Sequence, residues 1–233
     1  MLLNDGEVID LDNNKRGTTQ ADQKQKSIGE SELEEPKSIR YFYDGWLRIN
    51  STEDLNKPYV IFNRGKDFIM TLTGHKLSII HTTDTASGKG VNPNTGILAS
   101  ETSAGQHTTI MDIALNFPFQ KWVYFCINVD GNTMDAYLNG KLVKSVTDVK
   151  KSDGNILKFY EASKTDPLTM GNIGTKGSIA RFRREPRLLD PQTVWSIYLQ
   201  GPGVTNEDDS AGDYHAKIEL TRNNHSRRKF KLF

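Results

Sequence analysis

Residues 120–146 read QKWVYFCINVDGNTMDAYLNGKLVKSV. Trp122, Tyr124 and Cys126 fall on one face of an extended run, and Val123, Phe125, Ile127 and Val129 fall on the other. A segment this dense in aromatic and branched residues suits a pleated sheet. Asp130-Gly131-Asn132 then turns the chain. Met134, Ala136 and Leu138 alternate with Thr133, Asp135 and Tyr137, and Asn139-Gly140 makes a second tight turn before residues 141–146 return. Asp-Gly and Asn-Gly favour type I′ turns, whose central residues both need positive φ. Three strands joined by two such turns form an antiparallel meander.

Outward from the meander, the pattern stays β-like. Residues 39–49, 59–63, 68–72, 76–81, 108–115, 156–160, 168–171 and 177–182 are short apolar or alternating runs. Asp190 followed by Pro191 is a helix start: the carboxylate caps, and proline at the first position needs no amide donor. Residues 191–199 then make one short helix with Val194, Ile197 and Tyr198 inward, and Gly201-Pro202-Gly203 ends it. Many short strands and one small helix predict an all-β, two-sheet antiparallel β-sandwich.

Composition divides the 233 residues into three parts. Only 36% are hydrophobic, low for a chain folded throughout, so an ordered core with polar ends is expected. Residues 1–37 read as a polar, acidic, flexible leader, 38–203 as the sandwich, and 204–233 as a linker and basic tail. Residues 1–35 hold nine acids against four bases, and residues 214–233 hold six bases against one acid, so the net charge of +1 hides two opposed ends. Cys126 is the single cysteine, which excludes an intrachain disulfide and fits a buried apolar role in a reducing compartment. No long apolar run predicts a transmembrane helix. Met1-Leu2-Leu3 runs at once into Asn4 and Asp5, so no signal-peptide core is expected.

Taken together, the QKWV of 120–123, the MDAYLNGKLV of 134–143, the GSIARF of 177–182 and the LLDPQ of 188–192 with Trp195, Tyr198 and Gly201-Pro202-Gly203 resemble the concanavalin A-like jelly roll of the laminin G and pentraxin type. The resemblance covers about residues 38–203, with Asp190 standing where the family's helix usually begins with a leucine and a hydroxyl residue. It implies that Trp122, Tyr137, Asn139, Gly140, Phe182 and Trp195 determine the fold. The wording is most similar to copies encoded by large double-stranded DNA viruses of algae and amoebae. That implies a virion component such as a minor capsid protein, assembled in the host cytoplasm.

Hydrolases on this fold place paired carboxylates on one strand face, and no such alternation occurs in residues 38–203. Asp84, Asp112, Asp148, Asp153 and Asp166 are too scattered for a calcium loop, and the five histidines lack metal-ligand spacing. No phosphate-binding loop is present; the glycine-rich 171–177 reads as a turn. No catalytic residue, metal ligand or cofactor is therefore assigned. Lys176, Arg181, Arg183, Arg184 and Arg187, with Arg227, Arg228 and Lys229 in the tail, are the candidate contacts for a protein partner, such as another capsid protein with an acidic surface. Nucleic acid is disfavoured. A carbohydrate-binding module using the polar segment 82–106 is the competing class, with Tyr41, Tyr43, Trp46 and Trp195 as aromatic candidates. A glycoside hydrolase with carboxylates assembled only in space is the third.

Overall fold

The computed structural model describes residues 8–11, 26–29, 32–35, 38–65, 68–82, 108–131, 133–147, 166–171, 174–203, 216–222 and 225–232. In chain order the first strands are β1 (Val8–Asp10), β2 (Lys26–Ile28), β3 (Arg40–Thr52), β4 (Pro58–Arg64) and β5 (Phe68–Thr73). Next come β6 (Lys76–Thr82), β7 (Thr108–Ala114), β8 (Trp122–Asp130), β9 (Thr133–Leu138) and β10 (Lys141–Thr147). β11 (Leu168–Met170), β12 (Thr175–Glu185) and helix α1 (Pro191–Leu199) complete the part that ends at Gly203.

These strands form two six-stranded antiparallel sheets. The first has the order β1-β12-β3-β8-β9-β10, and the second has the order β2-β11-β4-β5-β6-β7. They pack face to face as a β-sandwich. Tyr41, Tyr43, Leu47 and Ile49 of β3 alternate into the space between them, as do Val123, Phe125, Ile127 and Val129 of β8. From the second sheet Phe62, Phe68, Met70, Leu72, Leu77 and Ile79 meet them. Ring centres of Tyr43 and Phe68 lie 4.9 Å apart across the layer, and those of Phe62 and Phe182 lie 5.0 Å apart in an edge-to-face contact. Each such buried aromatic contributes about 1.5–3 kcal/mol of transfer free energy.

The meander is present, with β8 paired to β9 and β9 to β10. Asn139 and Gly140 have φ of 48° and 76°, as the type I′ reading requires. At the first turn Asp130 pairs with Thr133, and Gly131 has a φ of 59°. The Asn139 side-chain oxygen also accepts the Tyr124 amide at 3.1 Å, tying the second turn back to β8.

Both ends of the chain carry strands. Within the presumed leader, β1 pairs with β12 and β2 pairs with β11, giving each sheet an edge strand. Ile9, Leu11, Ile28 and Leu33 are buried in the common core. An isolated apolar residue among polar neighbours reads as loose chain; it becomes part of a core once a sheet edge supplies its backbone partners. The tail beyond residue 203 is a separate unit, in which β13 (Ala216–Arg222) pairs antiparallel with β14 (His225–Leu232). The segment 83–107 and the strand expected at 156–160 lie outside the described residues.

Candidate functional site

The outer face of the first sheet carries a second, smaller layer, and its polar residues are the chemistry of this molecule. Phe42, Asp44 and Trp46 of β3 alternate away from the main core toward the segment 185–203. Asp190 caps α1 by accepting the Thr193 amide at 2.9 Å, and Gly201 in the left-handed region, φ 71°, follows its end. Trp195 lies over the Asn139-Gly140 turn so closely that a Cβ at Gly140 would come within 2.6 Å of its ring. Tyr198 stacks on Trp46 at 5.9 Å. The Asn128 side chain exchanges two hydrogen bonds with the backbone of Leu189, at 2.7 and 3.1 Å. The helix and its leading segment are thereby fixed over the sheet.

Beneath this cover Asp44 is fully buried. Arg183 donates to both of its oxygens, at 3.0 and 2.5 Å, and the Tyr124 hydroxyl donates to Oδ2 at 2.8 Å. Burial pushes the Asp44 carboxyl up from its ordinary value, and the bonds and charge of Arg183 oppose that rise. Three donors converge on two oxygens, so a carboxyl proton would displace a bond; the geometry is that of an ionised pair. Burial works against the Arg183 charge, but its bonds to Asp44 outweigh this and hold it above its usual range. Burial also pushes the Tyr124 phenol and the Cys126 thiol up, with the Asp44 charge adding to both. Phenol and thiol are thus held in their protonated forms away from solvent. This cluster does structural work: it fixes β12 against β3 and β8.

The basic contact surface expected from the sequence is not assembled. Arg184 is 1% exposed; its guanidinium reaches the main-chain carbonyls of Glu34 and Glu35. Arg183 is committed to Asp44. Arg181 sits in a bulge of β12, at φ 49°, and donates to the Gly201 carbonyl at 3.0 Å. Lys176 and Arg187 remain exposed, and Arg187 pairs with Glu185 at 2.5 Å. Arg227, Arg228 and Lys229 lie on β14. Sequence order brought the arginines together, but strand alternation and the bulge send them to different faces. The alternation Phe182-Arg183-Arg184 was the signal that could have placed Arg184 inside with Phe182.

Among the fold-determining residues, Tyr137 and Phe182 are buried, Trp122 is half-buried, and Asn139 and Gly140 form the turn. Trp195 is 42% exposed, so it packs with one face and presents the other to solvent. Tyr41, Tyr43 and Trp46 are buried and offer no sugar platform. His75 bonds the Phe117 carbonyl while His81 is buried beside Phe68, so the two do not converge. No group of three metal-ligating side chains occurs among the described residues, and no helix there is long and apolar enough to cross a membrane.

One surface is conspicuous for the opposite reason. Leu142 and Val143 on β10 are 55% and 42% exposed, and Leu199 on α1 is 66% exposed, close to Trp195. β10 and α1 adjoin, and Trp195 seals the turn that leads into β10. The four apolar side chains therefore occupy two neighbouring elements at one edge of the first sheet.

No protein-family model matches the chain, and a comparison with curated proteins finds no match. Among solved structures, the chain is similar to the binding domain of botulinum neurotoxin serotype D, at 17% identity and a TM-score of 0.46. That match covers 70% of this chain and 37% of the other. A binding domain of botulinum neurotoxin DC in complex with rat synaptotagmin II matches at 15% identity and a TM-score of 0.45, over 69% of this chain and 35% of that one. The chain spans little more than a third of the length of these structures.

Proposed function

We propose that the protein is a non-enzymatic structural component, a minor capsid protein or other virion part, that binds a neighbouring protein of the particle. The observation that carries this reading is the exposed apolar surface of Leu142, Val143, Trp195 and Leu199. Exposed apolar side chains gathered on adjoining elements mark interaction surfaces, and tryptophan is enriched where binding energy concentrates. The resemblance of the 120–203 wording to virus-encoded copies supports the particle as the setting, with assembly in the host cytoplasm. The Lys and Arg residues of β14 supply a second contact for an acidic neighbour.

The test is the copy number of tagged chain in gradient-purified particles, measured by quantitative mass spectrometry. The wild-type chain should travel with the particles, and a Leu142→Glu/Leu199→Glu chain should be lost at least about tenfold, the equivalent of 1.4 kcal/mol. Absence of the wild-type chain from particles, or equal retention of the variant, refutes the reading.

The open face of Trp195, 5.3 Å from the Tyr198 ring centre, favours a second reading, a carbohydrate-binding module in which a sugar stacks on the indole. Glycan-array binding lost in Trp195→Ala would promote it, and no binding by the wild type, with or without calcium, would remove it.

A further inference from the structure

At one end of the sandwich the interior stops being apolar. The cross-strand register sets Ile28, Leu168, Arg64, Phe68 and His81 side by side across the second sheet. Directly opposed residues of antiparallel strands share a face. Ile28, Leu168 and Phe68 belong to the common core, so Arg64 and His81 point into the layer between the sheets. Arg64 is 0% exposed, and its Nε and both terminal nitrogens have no hydrogen-bond partner. From the first sheet, Arg184 lies opposite Tyr43 in register and 5.8 Å from the Tyr41 ring centre. The Tyr43 and Tyr41 rings are 4.9 and 6.5 Å from Phe68. Two fully buried arginines, one on each sheet, therefore border a single aromatic cluster.

A guanidinium does not neutralise itself by losing a proton, so burying Arg64 without an acceptor is strongly unfavourable. Among the described residues no carboxylate forms a salt bridge with it. Asp166 packs against Gly65, one residue further on, and makes no ion pair with Arg64. We propose that Arg64 forms one wall of an interior binding site for a compact oxyanion, a carboxylate, sulfate or phosphate. The planar fork of donors fits two oxygens of such a group at once. Described residues of the N-terminal part of the chain lie at this end of the sandwich. β2 edges the second sheet, Leu33 is buried, and the carbonyls of Glu34 and Glu35 hold Arg184 of the first sheet.

The experiment uses the full chain in buffer free of sulfate and phosphate. Equilibrium dialysis against radiolabelled sulfate, phosphate and acetate in turn should find one bound ion per chain with at least one of them. Melting temperature is then followed in sodium sulfate, phosphate and acetate, with chloride at matched ionic strength. The wild type should show a saturating rise of about 5 °C or more at a hundredfold excess over Kd with at least one of these anions. Arg64→Met should remove the saturating part and leave only the gradual rise that salting-out anions give any protein. Acetate alone acting would identify a carboxylate ligand, and sulfate or phosphate acting would identify a tetrahedral one. An unchanged saturating rise in Arg64→Met overturns the proposal. So does a wild type that binds none of the three anions, which decides the matter even if Arg64→Met does not fold.

Discussion

Replacing Arg183 by methionine removes one partner of a buried ion pair and leaves the other in place. The Asp44 side chain is 1% exposed, while Arg183 is 32% exposed. After the substitution the carboxyl keeps the Tyr124 hydroxyl as its donor. Breaking a buried pair in this way costs about 3–5 kcal/mol. Because water already reaches part of the guanidinium, the lower end applies, and about 3 kcal/mol is expected at pH 7.5. For a chain of this size that lowers the melting temperature by about 6–12 °C. The sign of the pH dependence follows from the direction of the Asp44 shift. Its folded pKa is raised above 3.8, so at pH values between the unfolded and folded pKa the folded state still holds a proton that the unfolded state has released, and above that window the pair is ionised. That contribution to stability is complete below the unfolded pKa and is lost as pH climbs through the folded one. Arg183 opposes the rise, so the variant shifts further up and loses more between acid and neutral pH. Urea unfolding of both proteins at pH 4.5 and pH 7.5, followed by tryptophan fluorescence, should give a larger difference at pH 7.5. A difference below about 1 kcal/mol at pH 7.5, typical of a surface pair, would refute the reasoning. A difference that does not change with pH would refute it equally.

Three further outcomes follow from the same structure. Gly140→Ala places a methyl group within 2.6 Å of the Trp195 ring at a φ of 76°, so it should destabilise by about 1–2 kcal/mol and shift the Trp195 emission; an unchanged melting curve would show that α1 does not rest on the turn. Leu11→Ala should cost about 2–5 kcal/mol in urea unfolding because Leu11 is fully buried, whereas a loose leader would make the change neutral. Cys126 is buried and its thiol is pushed well above its ordinary value, so a thiol reagent at pH 8 should modify it only on unfolding; rapid labelling of the native protein would contradict its place in the layer.

Alternation and turn chemistry are local, and they were legible from residues 120–146: two faces of β8, two tight turns, and a third strand. The helix over Pro191–Leu199 was equally legible, because its cap and its stop are written in adjacent residues. What local signals did not separate was the destination of the charges. Arg181, Arg183 and Arg184 read as contact residues of one basic surface, and Asp44 carried no signal of its own. A bulge in β12, a second layer over the first sheet and the N-terminal carbonyls decided otherwise. Likewise the weak apolar cluster of Val8, Ile9 and Leu11 and the lone Ile28 did not signal strands, since an edge strand of three residues gains its order from the sheet it joins. The sequence by itself determined the sandwich class, the meander and the capped helix, because each depends on contacts within a few residues. Only the tertiary structure decided which faces are covered, which ions are sealed inside and which apolar side chains stay exposed. Burial depends on what arrives from distant parts of the chain, and on whether each polar group taken from water finds a partner there.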